Sequence, residues 1–393
     1  MNTPTLKRSA MRNTAGRRSP VRILTAVPIC DGHDSAIVTI NLELVRAGFE
    51  VIYLGYHRSV RDIVRAAIHE DARAIGLSSY NGGHVEFFSE VLNGLHRAGA
   101  KNIGVFGGGG GTITPADAKL MKLRGVDEIF FAGTPLVGIV DFVKQRYAAP
   151  PRVPLNKAQA HIESTDLALA QELTLTGTVS NRRLVPAIVN RQPQIVNQTI
   201  GFTGPGGAGK TTLIDELVLR FLRARPRGRL AILSHDPGGA AHGALLGDRA
   251  TMVYAQDDRV FMRSLATRGR SGGLSTGTRG CLELLRRARF DLVLVESAGI
   301  GQEDAPFARG LVDKQIYVTS PEYGGQLQLQ KIVMLDAADV VVVNKADRPG
   351  AKTALAEISQ RLAMNGRGQK LLATVARRHG DTGVNELFQE VLR

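Results

Sequence analysis

Gly204-Pro205-Gly206-Gly207-Ala208-Gly209-Lys210-Thr211 carries the spacing Gly-x-x-x-x-Gly-Lys-Thr. An apolar run, Gln198–Thr203, precedes it, and a helical pattern, Leu213–Leu222, follows. Glycines in such a loop let consecutive N–H groups converge on phosphate oxygens, and the helix start adds partial positive charge. Lys210 supplies a full charge, and the Thr211 hydroxyl is placed to bind Mg²⁺. Gly204, Gly206, Gly207, Ala208, Gly209 and Thr212 complete the expected cradle. A second segment well downstream of Lys210, Asp339–Asp347, reads as a buried strand ending in Asn344-Lys345-Ala346-Asp347. A carboxylate at Asp347 can accept both the ring N–H and the exocyclic NH₂ of guanine, a donor pair that adenine lacks. GTP is therefore expected rather than ATP.

Two further runs, Leu230–Asp236 and Phe290–Glu296, end in acids. A carboxylate at the C-terminal tip of a parallel strand points into the ligand crevice. Mg²⁺ takes one or two such carboxylates and keeps several waters. Glu296 is the first candidate, then Asp236, then Asp248. Gly299 is placed to meet a γ-phosphate through its N–H, and Gln302 is the nearest candidate for orienting an attacking water. Lys210, Glu296 and Gln302 form the expected catalytic set.

The chain up to Ala148 holds five short apolar runs at fairly regular spacing: Val21–Ile29, Glu50–Leu54, Ala74–Ser78, Ile103–Phe106 and Glu128–Ala132. Helical patterns such as Val60–Ile68 and Val85–Leu95 lie between them. This alternation predicts a doubly wound parallel sheet, with ligands at the strands' carboxyl ends. Unusual residues cluster there: Asp31-Gly32-His33-Asp34, then Ser78–His84, then Gly107–Gly111. Asp31 and His33 are spaced for a carboxylate to hold one imidazole nitrogen while the other binds a metal. One histidine does not make a protein-only zinc site. It does suit an axial ligand to a metal already held by a macrocycle. The glycine run predicts a broad slot for a planar group.

The 393 residues leave room for two or three domains, and no apolar run approaches the length of a membrane span. Two cysteines, Cys30 and Cys281, give no disulfide framework, and the cytoplasm is the expected compartment. The net charge is +14, but Trp is absent, Tyr numbers 7, and no basic run interleaves with aromatics. Nucleic acid is not expected as a partner. Part of the charge lies in a tail over residues 1–20, expected to be disordered.

The first half resembles the cobalamin-binding domain of base-off/His-on cobalamin enzymes. That signature is Asp-x-His-x-x-Gly, then Ser-x-Leu, then Gly-Gly, with set intervals between the three. Here Asp31-x-His33-x-x-Ala36, Ser78-x-Tyr80 and Gly107-Gly108 follow in turn, and both intervals match the family's. Ala36 and Tyr80 depart from the pattern. By this resemblance His33 ligates cobalt in place of the cofactor's dimethylbenzimidazole, and Asp31 tunes His33. Ser78 hydrogen-bonds the displaced base, and Gly107, Gly108 and Gly109 line its slot. Adenosylcobalamin is the expected form, with methylcobalamin left open.

The second half resembles the G-protein chaperones of acyl-CoA mutases through Gly204–Thr211, Ser234–Pro237, Gly243–Arg249, Glu296–Gln302 and Asn344–Asp347. That resemblance implies that Asp236, Asp248 and Glu296 serve Mg²⁺ and the nucleotide switch. Fused isobutyryl-CoA mutases carry both modules in this order, then a large acyl-CoA-binding barrel. A barrel needs at least about 200 residues. Residues 21–148 read as the cobalamin domain, 149–197 as a linker with one helix near Ile162–Leu173, and 198–393 as a P-loop GTPase, which leaves no segment for a barrel.

The expectation is a GTP-hydrolysing module that loads, protects or gates adenosylcobalamin for an acyl-CoA mutase of isobutyryl-CoA or methylmalonyl-CoA type. Its substrate-binding subunit would be a separate chain, an adenosyltransferase a further partner, and the chain itself a homo-oligomer. Arg249–Ser275 and Gly299–Phe307 would act as the switch region. The alternatives are a cobalamin carrier or sensor with a non-hydrolysing G domain, a nickel-delivery GTPase, and a methyltransferase corrinoid protein. Cys281 standing alone weighs against nickel delivery, and the GTPase half weighs against the methyltransferase.

Overall fold

A computed structural model describes residues 20–29, 35–148, 165–177, 198–239, 243–288, 290–299, 306–307, 310–323 and 333–393. Nearly all of the expected tail, most of the expected linker, and Asp31, His33 and Gln302 lie outside the described residues.

The first half alternates β1 (Arg22–Ala26), α1 (Ser35–Arg46), β2 (Glu50–Tyr53), α2 (Val60–His69), β3 (Ala74–Ser78), α3 (His84–Arg97), β4 (Gly104–Gly108), α4 (Pro115–Leu123), β5 (Glu128–Phe130) and α5 (Leu136–Tyr147). Local chemistry sets several boundaries. Ser59 and Asp62 form a capping box at the start of α2, and Thr114 and Asp117 form another at α4, where Pro115 opens the helix. Strand order is β5-β4-β3-β1-β2, all parallel, which is the flavodoxin-like doubly wound order. Helices cover both faces. One core gathers Leu24, Ile52, Ile75, Phe88 and Met121, and the other gathers Ile23, Val51, Phe106 and Tyr147. Burial on both faces explains why these strands read as continuous apolar runs rather than alternating ones.

After α6 (Thr165–Thr176) the second half runs β6 (Gln198–Thr203), α7 (Lys210–Ala224), β7 (Leu230–Asp236), β8 (Ala244–Leu246), α8 (Asp248–Thr251), β9 (Val260–Ala266), α9 (Thr278–Arg287), β10 (Leu292–Glu296), β11 (Lys314–Thr319), α10 (Val333–Ala337), β12 (Val340–Val343), α11 (Ala351–Asn365), β13 (Lys370–Ala373) and α12 (Thr382–Leu392). Seven of these strands form a parallel sheet in the order β13-β12-β11-β6-β10-β7-β9. The fold class is thus α/β twice over, a flavodoxin-like sheet followed by a P-loop sheet.

Three features differ from the sequence reading. Strand β8 leaves its own half and pairs with β2, so that Ala244 stands opposite Glu50 and Leu246 opposite Ile52. Ala244, Leu246 and Ala266 pack into the first half's core. The expected switch region Arg249–Ser275 contains β9, a seven-residue strand buried along its whole length, so that part of it is sheet rather than loop. Helix α6, expected within a linker, packs Ala170 and Leu173 against Ala231, Leu233 and Phe261.

Candidate functional site

The phosphate loop leaves β6 and turns directly into α7. Gly204 has φ +143°, and a Cβ there would lie 1.9 Å from the Val318 carbonyl oxygen of β11. Only glycine fits that passage. At the loop's end Gly209 has φ +88°, and a Cβ would come within 2.4 Å of Asn344 Nδ2. Asn344 is buried and donates from Nδ2 to Ala208 O (2.9 Å). Its Oδ1 accepts from Thr374 Oγ1 and the Ala376 N–H, each at 3.1 Å. Lys345, in a left-handed conformation, donates from Nζ to Gly207 O (2.6 Å). The Asn344–Asp347 loop therefore buttresses the phosphate loop before any ligand arrives. Asp347 pairs with Arg377, an exposed cation after β13. Gly206, Gly207 and Thr212 are exposed, while Ala208 is buried.

Lys210 is buried and donates to Gly204 O (3.1 Å) and Pro205 O (3.2 Å), curling over its own loop. Thr211 Oγ1 donates to Glu296 Oε1 (2.8 Å). The sheet makes this contact. Glu296 ends β10 between β6 and β7, in register with Phe202 and Ser234. Asp236 ends β7, and Asp248 accepts from the Ser234 hydroxyl of that strand. Gly299 lies against the loop, where a Cβ would be 2.6 Å from Gly206 Cα and 3.6 Å from Lys210 Nζ.

Burial dominates the electrostatics of these acids and of Lys210. Burial, then Asp248 and Glu296, push Asp236 up to about 8. Burial, then Asp248, push Glu296 up to about 8 against the opposing pull of Lys210 and Thr211. Burial also raises Asp248 and lowers Lys210. Asp236 Oδ2 and Glu296 Oε2 are buried without a hydrogen-bond partner. Among the described residues no three His, Cys, Asp or Glu side chains converge closely enough to hold an ion by themselves. That combination fits Mg²⁺, which would complete its shell with waters and phosphate oxygens.

His235, beside Asp236, lies in the Ser234–Pro237 motif but had no role of its own in the sequence reading. Its ring nitrogens meet Glu296 O and Thr278 Oγ1, each at 2.8 Å, and burial pushes it down to about 4. It ties β7 to β10 and α9 as a neutral imidazole. Ser234 of the same motif likewise had no assigned role, and Thr374, Arg377 and Tyr323, whose hydroxyl donates to Gly206 O (3.1 Å), were missed. Thr374–Ala376 follow the apolar strand β13 as a tip motif, a signal that could have found them.

In the first half, strand order reverses between β1 and β3, where open sheets of this kind take ligands. The loop after β1 leads to Asp31 and His33, and half-buried Ser78 ends β3. Ser78 stands opposite Gly108 on β4. The glycine run, however, is not simply an open slot. A Cβ would lie 2.3 Å from Leu77 O at Gly107, 2.3 Å from Phe130 O at Gly108, 1.7 Å from Ser79 O at Gly109 and 1.9 Å from the Tyr80 ring at Gly110. Neighbouring strands and Tyr80 fill those directions, so close sheet packing itself demands these glycines. Gly111, left-handed with nothing nearby, is the open one.

A family model described as methylmalonyl-CoA mutase-associated GTPase MeaB matches residues 169–393, and one described as a B12-binding domain matches residues 21–139. The fused isobutyryl-CoA mutase of Cupriavidus metallidurans is 38% identical over 389 residues, covering 95% of this chain and 36% of that protein. Its counterpart from Geobacillus kaustophilus is 37% identical over 394 residues, covering 94% and 36%. That from Nocardia farcinica is 37% identical, covering 95% and 36%. The chain spans about a third of the length of these relatives. No helix among the described residues is long and apolar enough to cross a membrane. The GTPase match, which takes in more than half the chain, decides the family: the chain belongs to the methylmalonyl-CoA mutase-associated GTPases, with a B12-binding domain ahead of the GTPase on one polypeptide.

Proposed function

We propose that the chain hydrolyses GTP to load, protect or gate adenosylcobalamin for an acyl-CoA mutase whose acyl-CoA-binding part lies outside these residues. One observation carries the reading. The Thr211–Glu296 hydrogen bond holds the phosphate loop to a carboxylate whose second oxygen, like that of Asp236, is buried and unpartnered beside Lys210. Bound Mg²⁺ would supply charge neutralisation at the β- and γ-phosphates. Thr211, Asp236, Asp248 and Glu296 would hold it. Lys210 would leave its loop carbonyls for the phosphates, and the Gly299 N–H would meet the γ-phosphate. Gln302 would orient the water that attacks phosphorus, with the bond to the β–γ bridging oxygen breaking and GDP leaving. Asp347 would exchange Arg377 for the guanine donors.

In the first half His33, held by Asp31, would ligate cobalt, and Ser78 would hydrogen-bond the displaced base beside Gly107, Gly108 and Gly109. The relatives' names support an acyl-CoA mutase as the client. An adenosyltransferase as a second partner and self-association of the chain complete the proposal. The test pairs two readouts. Asp347→Asn is expected to weaken GTP binding on the order of 100-fold or more while leaving the visible spectrum of bound cobalamin unchanged. His33→Ala is expected to do the reverse, losing the histidine-on spectrum. Unchanged GTP affinity in Asp347→Asn would refute the guanine assignment. GTP binding without turnover would favour a cobalamin carrier with a non-hydrolysing G domain.

A further inference from the structure

Helix α8 is a single turn, too short to hold a place of its own. It nevertheless begins with Asp248, which with Glu296 acts on the charge of Lys210. Much of what fixes it belongs to the first half. Strand β8, just before it, pairs with β2, and Gly243 N and Ala244 N donate to Val45 O (2.9 Å) and Phe49 O (3.1 Å). Arg58 donates to Ala250 O (2.6 Å). Gly55, left-handed at φ +79°, passes beside that turn, where a Cβ would sit in ordinary contact with Ala250 Cβ at 3.6 Å.

Arg249, the neighbour of Asp248, is fully buried and donates to Glu70 Oε1 (3.2 Å). Glu70 caps the C-terminal end of α2. Its carboxylate also accepts from Arg22, from Ser264 N and from Ser264 Oγ. Burial opposes ionisation of Glu70, but Arg249, Arg22 and Arg263 overcome it and hold the carboxyl below its ordinary value. Glu70 is thus a fixed anion on the first half to which the turn bearing Asp248 is tied. Ser234 anchors Asp248 itself from the second half.

We infer that the first half positions the nucleotide site: Glu70 through Arg249, and Arg58 through Ala250, hold Asp248 where it completes the Mg²⁺ set. Glu70 and Arg58 are positioning residues and touch neither phosphate nor metal. The inference rests on the nucleotide reading above and deepens it, because it makes Mg²⁺-dependent nucleotide binding a property of both halves.

The test uses the full chain, a fluorescent GDP analogue and Mg²⁺ alone as titrant. Arg58→Gln removes two half-buried hydrogen bonds, to Leu54 O within the first half and to Ala250 O of α8, without stranding a buried charge. It is expected to raise the half-saturating Mg²⁺ concentration about 5-fold, the scale of the one hydrogen bond lost to α8. Mg²⁺-free nucleotide affinity and the thermal midpoint should stay near wild type, which a purely structural defect would not leave alone. Arg58→Lys, which keeps a donor, should recover part of the shift. Glu70→Gln should raise the Mg²⁺ requirement about 10-fold or more; if it does not fold, Arg58→Gln decides. Folded variants with wild-type Mg²⁺ dependence would overturn the inference. A wild type lacking Mg²⁺-dependent binding would instead overturn the nucleotide reading, and the inference with it.

Discussion

Asp236 and Glu296 sit at adjacent strand tips with one buried oxygen each left unsatisfied. Both carboxyls rise to about 8, from ordinary values of 3.8 and 4.5, with burial the leading cause. A carboxyl whose folded pKa is raised holds its proton in the native state after the unfolded chain has lost it. Its stabilising contribution is therefore complete below the ordinary value and declines as pH rises towards about 8. The ligand-free protein is expected to lose thermal stability between about pH 5 and about pH 8. Asp236→Asn, which cannot titrate, should flatten that decline, and a wild-type slope in the variant would refute the assignment. Mg²⁺ needs ionised carboxylates, so binding Mg²⁺–GDP at neutral pH should release protons. Calorimetry in buffers of different ionisation enthalpy reads that release directly, and a buffer-independent heat would count against it.

Close packing of neighbouring elements sets what each tolerates. Gly109→Ala would drive a methyl into Ser79 O, 1.7 Å away, and push β4 from the loop after β3. A loss of about 3 kcal/mol is expected in urea unfolding, the scale of overpacking against backbone. Gly111→Ala, with open space but a left-handed φ of +45°, should lose only about 1 kcal/mol. Equal losses would mean that close packing against Ser79 does not demand glycine at position 109. The same reasoning explains what the amino-acid order made legible. Strand β3 ends at Ser78 as expected, and β7 runs from Leu230 to Asp236 as read, because each is one apolar run with its own stop signals. The phosphate loop is legible for the same reason, since strand, turn and helix are consecutive. Strand β8 was hidden because so short a strand carries no period, and its partner β2 lies far earlier in the chain. Strand β9 was hidden because Arg263 interrupts its apolar run, and only the folded chain brings Glu70, Thr174 and the His69 carbonyl around that charge. Arg377 reaches Asp347 across separate strand tips, so no local spacing announces the pair.

Taken whole, the molecule joins its two sheets through charge rather than through oil alone. Arg22, Arg249 and Arg263 are buried together with Glu50 and Glu70, and half-exposed Arg268 reaches Glu50 at 2.7 Å. His69, kept neutral mainly by burial, faces Asp166 of α6, which also pairs with Arg229. Such a network contributes little net stability when whole, because desolvation offsets attraction, yet losing one partner costs about 3–5 kcal/mol. The halves should therefore act as one cooperative unit despite having separate cores. Calorimetry of the full chain is expected to show a single transition. Expressed alone, residues 198–393 would keep Arg249 and Arg263 without Glu70 and leave β8 without β2. That piece should melt well below the full chain and expose an edge strand open to aggregation. Salt should change the single transition little, because the pairs are buried beyond effective screening. Two separate transitions, or a second half as stable alone as in the full chain, would show that the buried arginines do not bind the two sheets into one body.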